Sequence, residues 1–363
     1  MSIAERRATR AVRAGTVTIG GGKPVVVQGM AKAPAWDGPA VLAQVERMAA
    51  RGCELCRLAV PDERSLEAFA WVAKRSPLPL VADIHFQHRL ALGAIAAGAA
   101  KLRINPGNIG GPEALAEVAR EAIAAAVPIR VGVNLGSLEA DLASSLGHTA
   151  AAMAESALRQ VRVLEQLGVE GIVVSAKASD VPRTLDAYRE ISGRTEWPLH
   201  LGVTEAGPGL AGAVKGTLGI GLLLAQGIGD TIRVSLTGEP ECEIDVAYDI
   251  LAGLGLRRRG PELIACPTCG RCSFDVAGAA RTVAGYLAGM HDPLVVAVMG
   301  CAVNGPGEAR RADVGLAGAA GGRAVLFSGG RIVRTVSSEE AVPELIKEIE
   351  RLRQGGISEV SDR

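Results

Sequence analysis

The stretch LPLVADIHFQHRLALGAIAAGAAKLRIN, residues 78–105, decides the fold. It opens on a short apolar run that leads to Asp83 and His85, and it closes on a second run ending Arg103-Ile104-Asn105. The Ala-rich segment between them supplies a helical crossover, so the whole reads as two parallel strands joined by a helix. Working outward, the same unit recurs. Apolar, β-branched runs occur as PVVVQ (24–28), CELCRLAV (53–60), LPLVAD (78–83), AKLRIN (100–105), VPIRVGV (127–133), EGIVVSA (170–176), WPLHLGV (197–203) and DTIRVSL (230–236). Segments such as GPAVLAQVERMAARG and SLEAFAWVAKRS lie between them, with apolar residues returning at helical spacing. A last helical stretch, CEIDVAYDILAGLGL, follows the eighth run. Eight strands alternating with helices over about 250 residues match a (βα)8 TIM barrel. An open doubly wound sheet shares the alternation, and the count of eight favours closure.

Composition agrees with buried parallel strands. Of 363 residues 48% are hydrophobic but only 3% aromatic, so the core is aliphatic. Lys plus Arg equals Asp plus Glu at 39 each, which leaves no global field to recruit nucleic acid or an acidic membrane. No run of about eighteen apolar residues exists, so no membrane span is expected. The N-terminus is basic but lacks an apolar core segment, so no secretory signal is expected. Seven cysteines, an odd number, suit a reducing cytoplasm better than a disulfide framework.

Charged and polar residues gather at one end of the runs. Arg57 lies near the end of the second run, and Asp83 and His85 close the third. Arg103 and Asn105 end the fourth, Arg130 leads to Asn134 in the fifth, and the sixth leads to Lys177. His200 sits in the seventh, which runs into Thr204 and Glu205, and the eighth holds Arg233 and Ser235. In a barrel these C-terminal ends share one mouth, where active sites are built. One arginine at a strand end is ordinarily a salt-bridged surface residue. Five cations on separate strands suit a phosphorylated ligand, and a diphosphate better than a carboxylate. His88 and His148 read as solvated and His291 as a helix end, whereas Cys53, Cys56 and Cys242 read as inert thiols.

The texture changes at the basic run LRRRG (256–260), a boundary between domains at 1–256 and 257–363. Beyond it come Cys266-Pro-Thr-Cys269-Gly-Arg-Cys272, a helix over 274–290, the strand PLVVAVMG, and Cys301-Ala-Val-Asn-Gly-Pro-Gly-Glu308. Two further runs, RAVLFSG and RIVRTV, follow a Gly-rich turn GLAGAAGGR, and a helical tail starts from a Ser–x–x–Glu-like cap at Ser337. Thiols two residues apart on a tight turn, with a distant further donor, can hold an iron–sulfur centre. The CPTCG run also fits a zinc knuckle.

These motifs carry a resemblance. VADIHF (81–86), LRINPGNIG (102–110), GVNLGSLE (132–139), KASDV (177–181), LHLGVTEAG (199–207), GIGDTIRVSL (227–236), CPTC (266–269) and GCAVNGPGEA (300–309) resemble the 4-hydroxy-3-methylbut-2-enyl diphosphate synthases. Those are the iron–sulfur reductases of the methylerythritol phosphate route to isoprenoids. The resemblance implies a barrel followed by a small α/β cluster domain. It also implies reductive ring opening and dehydration of 2-C-methyl-D-erythritol 2,4-cyclodiphosphate. A [4Fe–4S] cluster would be ligated by Cys266, Cys269, Cys301 and Glu308. Arg57, Arg103, Arg130, Asn134, Lys177 and Ser235, with Arg233, would hold the diphosphate. His85 and His200 would face the substrate, and Glu205 would protonate the leaving hydroxyl. Ferredoxin or flavodoxin would donate electrons, in a head-to-tail homodimer where one subunit's cluster domain caps the other's barrel. Two departures stand out. The Ser-Met-Thr-like stretch usual after the first strand is replaced by Gln28-Gly29-Met30-Ala31-Lys32-Ala33-Pro34-Ala35-Trp36-Asp37, and Cys272 is an additional thiol. The first departure leaves open a non-turnover homologue; Cys272 is expected to be a bystander.

Overall fold

The computed structural model describes residues 3–290, 292–301 and 312–354. The chain divides into two units, Met1–Arg257 and Arg258–Arg363, and the division falls inside the basic LRRRG run.

The first unit begins with a hairpin, β1 (Val12–Ala14) and β2 (Val17–Ile19), which escapes sequence reading because each strand has only three residues. The alternating unit then runs β3 (Val26–Met30), α1 (Gly38–Ala50), β4 (Leu55–Ala59), α2 (Glu63–Ala73), β5 (Leu80–Asp83), α3 (His88–Ala96) and β6 (Lys101–Ile104). It continues through α4 (Pro112–Ala124), β7 (Ile129–Asn134), α5 (Ala140–Leu146), α6 (Ala150–Gln166), β8 (Ile172–Lys177) and α7 (Val181–Ser192). It ends with β9 (His200–Leu201), α8 (Gly209–Ala225), β10 (Thr231–Ile232) and α9 (Pro240–Gly253). The parallel sheet has the order β8-β7-β6-β5-β4-β3-β10-β9, and a parallel bridge from Val174 to Leu199 joins its two ends. The sheet is therefore a TIM barrel, not an open doubly wound sheet.

Two strands are much shorter than their sequence runs. Runs 197–203 and 230–236 form ladders of only two residues each. Pro198 has no N–H to give, and the Asp230 carboxylate accepts the Leu199 N–H at 2.9 Å in place of a strand carbonyl. The Asp230 and Thr231 N–H groups both donate to the Leu199 carbonyl, at 2.9 and 3.2 Å. A side chain thus does part of the pairing at this seam.

A TIM-barrel interior is ordinarily filled by branched apolar residues. This one is polar: Gln28, Lys101, Arg130, Ser175, His200 and Thr231 are all at most 2% exposed. The apolar packing lies outside the strands, where Val27, Leu58, Ile129 and Ile172 join Val45, Met48, Val118 and Leu164 of the helices in one cluster. Period-two alternation sorts the two sets. Long cations fit inside because two strand-end positions lack a Cβ. One built on Gly132 would lie 2.7 Å from Arg103 Nε, and one on Gly202 would lie 2.5 Å from Lys177 Nζ.

The second unit comprises β11 (Glu262–Ala265), α10 (Val276–Leu287), β12 (Val295–Met299), β13 (Val314–Ala319), β14 (Arg323–Ser328), β15 (Arg331–Ser337) and α11 (Ala341–Gln354). Its sheet follows chain order, parallel from β11 to β13 and antiparallel from β13 to β15. Val283, Val296, Leu316, Leu326, Leu345 and Ile349 form the core between the sheet and its two helices. The Gly-rich run GLAGAAGGR is a correction to the sequence reading, because most of it is the central strand β13 and only Ala320, Gly321 and Gly322 turn. The cause is crowding: a Cβ on Gly315 would lie 2.4 Å from the Ala297 carbonyl oxygen, and one on Gly318 2.3 Å from that of Gly300. Ser337 caps as its motif implies, accepting from the Glu340 N–H at 3.3 Å while its hydroxyl donates to Glu340 Oε2 at 2.8 Å.

Two substitutions in this unit should move stability in opposite directions. Gly315→Ala should cost about 1–3 kcal/mol by overpacking. Gly285→Ala on α10, where an added Cβ meets nothing within 4 Å, should gain about 0.4–1 kcal/mol. Urea midpoints of the two variants check both signs.

Candidate active site

The C-terminal strand ends build a cavity of about 160 Å³, well below the roughly 300 Å³ at which pockets for drug-sized molecules begin. Eight of the nine anticipated substrate-facing residues line it. Arg57 comes from β4, His85 from just beyond β5, Arg103 from β6, Arg130 and Asn134 from β7, Lys177 from β8, and Arg233 and Ser235 from beyond β10. Sequence reasoning gave no role to three others on the lining: Asp83, Ser175 and Thr204. Asp83 and Thr204 were already placed at the mouth by their strand ends, and alternation could have found Ser175, which stands two before Lys177.

The ninth, His200, is a correction. It is fully buried within β9 and does not reach the cavity, with Nδ1 3.4 Å from Thr231 Oγ1. Burial, then the charges of Lys177, Arg130 and Lys101, push its imidazole well below the usual histidine range, so it is held neutral. Lys101 lies equally deep and donates to Gln28 Oε1 at 3.0 Å.

Charge in the cavity is unbalanced. Five cations face one carboxylate, Asp83. Arg103 Nη1 is 3.0 Å from Asp83 Oδ1, Arg57 Nε is 3.6 Å from Oδ2, and His85 Nε2 is 3.4 Å from Oδ1. Burial by itself would raise the Asp83 carboxyl, but the Arg57 charge, the His85 hydrogen bond and the Arg103 charge together hold it far below the ordinary range. Burial pushes the Arg57 guanidinium down to about 10, with Asp83 opposing and Arg233 and Arg103 assisting. Burial also drives the Lys177 ammonium well down, aided by Arg130 and Arg57. Arg130, 1% exposed, donates to Ser175 Oγ at 3.2 Å and leaves its Nε without a partner. Such a cup is primed for an anion with several oxygens.

The altered segment after β3 contributes differently from a row of hydroxyls. Met30 Sδ lies 2.6 Å from Arg57 Nη2, Lys32 reaches across to the loop before α9, and Asp37 caps α1 through the Ala40 N–H at 3.1 Å. Gly29 leaves no room for a side chain, as a Cβ would meet Met48 Sδ at 2.7 Å and Cys53 Sγ at 3.0 Å. Cys53 and Cys56 are buried as expected, and burial raises both thiols, that of Cys53 to about 12. Cys242 lies on α9. His148 is exposed; His88 begins α3, with Nε2 3.5 Å from Glu117. Glu205 does not line the cavity: it is exposed, one residue beyond Thr204, with a φ of 53°. A larger cavity of about 530 Å³ lies beside the N-terminal segment, where Arg7 donates to the Ser192, Thr195 and Trp197 carbonyls and Arg194 pairs with Glu155. Its cations are engaged, so it is no rival site.

In the second unit Cys266 follows β11 and Cys301 lies two residues beyond β12, so adjacent parallel strands carry both at the same end. The Cys266 N–H donates to the Val298 carbonyl at 2.9 Å. Cys269 is exposed on the turn, where Thr268 has a φ of 67°. The Cys272 thiol donates to the Phe274 carbonyl at 3.3 Å and packs on Gly300. None of the seven cysteines forms a disulfide. Among the described residues no three His, Cys, Asp or Glu side chains are close enough to hold a metal. Glu308 and His291 lie outside the described residues.

Comparison with known proteins agrees on both units. A family model described as the GcpE TIM-barrel domain matches residues 9–248, and one described as the GcpE protein C-terminal domain matches 262–351. A relative in Geobacter sulfurreducens is 50% identical over 345 residues, covering 95% of this chain and 98% of its own. One in Anoxybacillus flavithermus is 48% identical over 353 residues, covering 97% of each. Both carry the name 4-hydroxy-3-methylbut-2-en-1-yl diphosphate synthase (flavodoxin).

Two measurements probe the charge imbalance. Lys177→Met should raise the melting temperature of the ligand-free protein by about 2–4 °C, because a buried cation without full compensation is replaced by an apolar chain of similar length. The same variant should lose the stabilisation that added pyrophosphate gives the unmodified protein. For His200, the unfolded chain takes a proton near pH 6.5 while the folded state resists it. Its contribution is therefore complete above about pH 6.5 and declines as pH falls below that. Urea midpoints between pH 7.5 and 5.5 should fall less steeply in His200→Gln than in the unmodified chain.

Proposed function

The chain belongs to the GcpE family and is an oxidoreductase of the 4-hydroxy-3-methylbut-2-en-1-yl diphosphate synthase class, and from that premise we propose how its residues divide the work. The cup binds the diphosphate of 2-C-methyl-D-erythritol 2,4-cyclodiphosphate. The observation that carries this is five cations from five strands around about 160 Å³ with one carboxylate among them. Arg57, Arg103, Arg130, Lys177 and Arg233 neutralise the phosphoryl oxygens, and Asn134 and Ser235 add neutral donors. Asp83 holds the Arg57 and Arg103 guanidiniums in place from behind. His85 is the exposed titratable group on the lining and faces the ring side of the ligand.

The reaction consumes two electrons and two protons, breaks one carbon–oxygen bond to the ring phosphate and a second to the departing hydroxyl, and releases water. Glu205 supplies the proton to that hydroxyl. Its left-handed backbone, costly for a residue with a Cβ, supports this reading. Cys266, Cys269, Cys301 and Glu308 hold the cofactor. Three thiols outside disulfides, two on one turn and one at the end of the adjacent strand, suit an iron–sulfur cluster in donor chemistry. When bound, a [4Fe–4S] centre supplies the electrons, and its carboxylate-held iron is a Lewis acid open to exchange. Flavodoxin, in the relatives' names, is the donor we propose, with ferredoxin as the alternative.

A homodimer is supported on the first unit by an apolar stripe on α8. Leu210, Val214, Leu218 and Leu222 stand four apart and are 43–81% exposed, on a helix whose one charged residue is Lys215. No helix of the described residues is long and apolar enough to cross a membrane. A cytoplasmic location is proposed on the cysteine usage.

Anaerobically purified protein should be brown, carry about four irons per chain and turn over the cyclodiphosphate with a reduced donor. A colourless protein holding one zinc would overturn the cluster. Full iron without turnover would make the chain a binding homologue. Arg130→Ala should raise KM with iron content unchanged. Glu308→Ala should lower kcat far more than Cys272→Ser, and equal losses would refute this ligand set.

A further inference from the structure

Behind Arg233 lies a second carboxylate that the cavity does not expose. Glu243, in the first turn of α9, is 1% exposed. It accepts the Leu236 N–H at 2.9 Å, and Arg233 Nη2 lies 3.3 Å from each of its oxygens. Its shortest ionic contact is elsewhere, to Lys32 Nζ at 2.9 Å. The same ammonium donates to the Leu236 and Gly238 carbonyls at 2.8 and 2.6 Å, which fixes it beside the carboxylate. Gln44 Oε1, on α1, accepts the Lys32 and Ala33 N–H groups at 2.8 Å each and fixes the lysine's backbone. Lys32 belongs to the segment where this chain departs from the hydroxyl-bearing pattern, and it ties the loop after β3 to the loop after β10. Those two strands are neighbours in the barrel.

One carboxylate is therefore shared between two cations, and the shorter contact goes to the lysine. Charge-assisted N–H···O bonds ordinarily close to about 2.7–2.9 Å, so Arg233 at 3.3 Å is only loosely held. Its Nε is buried and has no protein partner. Were the lysine charge absent, Glu243 would be left with Arg233 as its ionic partner and would draw the guanidinium into a closer pair, away from the cavity. We propose that Lys32, acting through Glu243, is a positioning residue that keeps Arg233 available to the anionic ligand. This rests on the reading of the cup as the diphosphate site.

The test uses cluster-loaded enzyme under anaerobic conditions, with cyclodiphosphate affinity measured by calorimetry alongside turnover. Lys32→Met should raise Kd and KM by about tenfold, within the range of measured couplings between neighbouring side chains. Its kcat, iron content and cluster absorbance should stay as in the unmodified enzyme, and Lys32→Arg should restore most of the affinity. In a Glu243→Gln background the Lys32→Met loss should vanish. Should that background fail to fold, Arg233→Gln serves instead and should abolish the loss in the same way. Unchanged affinity in Lys32→Met, or an equal loss in either background, overturns the proposal. Arg130→Ala, which touches neither Lys32 nor Glu243, separates the two claims. If it loses affinity while Lys32→Met does not, only this inference fails; if it binds as the unmodified enzyme does, the reading of the cup fails with it.

Discussion

Everything in the first unit answers to one constraint, a surplus of positive charge held inside a barrel that could have been filled with hydrocarbon. Arg57, Arg103, Arg130, Lys177 and Arg233 sit at the mouth and Lys101 beneath them, against Asp83 on the lining and Glu243 behind it. Mutual repulsion and lost hydration both disfavour this arrangement. It persists because the apolar layer outside the strands is extensive. The neutral state of His200 follows from the same field, as does the strongly acidic Asp83 carboxyl. A site that stores unfavourable charge in the empty state can spend that strain on recognition.

Much of this was legible in the residues. The eight apolar runs located the barrel strands because parallel strands buried on both faces are continuous in hydrophobicity. The cations were legible because they punctuate the C-terminal ends of five of the eight runs. What remained hidden had physical causes. The β1–β2 hairpin is too short to set up a pattern, and β13 looked like a turn because its glycines serve close packing against Ala297 and Phe327. The brief β9 and β10 ladders depend on the Asp230 side chain, which no periodicity reveals. His200 was expected to face the substrate, yet it lies deeper in the barrel and is fully buried. Glu243 lies on a helix far along the chain from Lys32, so only folding shows that one carboxylate serves both Lys32 and Arg233.

The second unit shows a different economy. Its sheet brings Cys266 and Cys301 to the same end simply by running β11 and β12 parallel, with α10 between them in sequence. A crossover connection thereby does what a dedicated loop would otherwise have to do: two thiols distant in sequence come to the same end of the sheet through its register. Cys272, turned toward the Phe274 carbonyl and packed on Gly300, occupies structural space beside them.

The glycine seats carry an implication for how such a cup can change over generations. Gly132 exists for Arg103, and Gly202 for Lys177, each pair fitting within a few ångströms. Neither member can drift alone: a methyl on the seat evicts the cation, whereas a shortened cation leaves a void that water enters. Ancestral sequences should therefore exchange Gly132 and Arg103 jointly, whereas Gly202 stays fixed because an added Cβ would also lie 2.6 Å from the Arg233 carbonyl oxygen, and a medicinal compound that leans on Arg103 or Lys177 would meet a target with few single-step escapes.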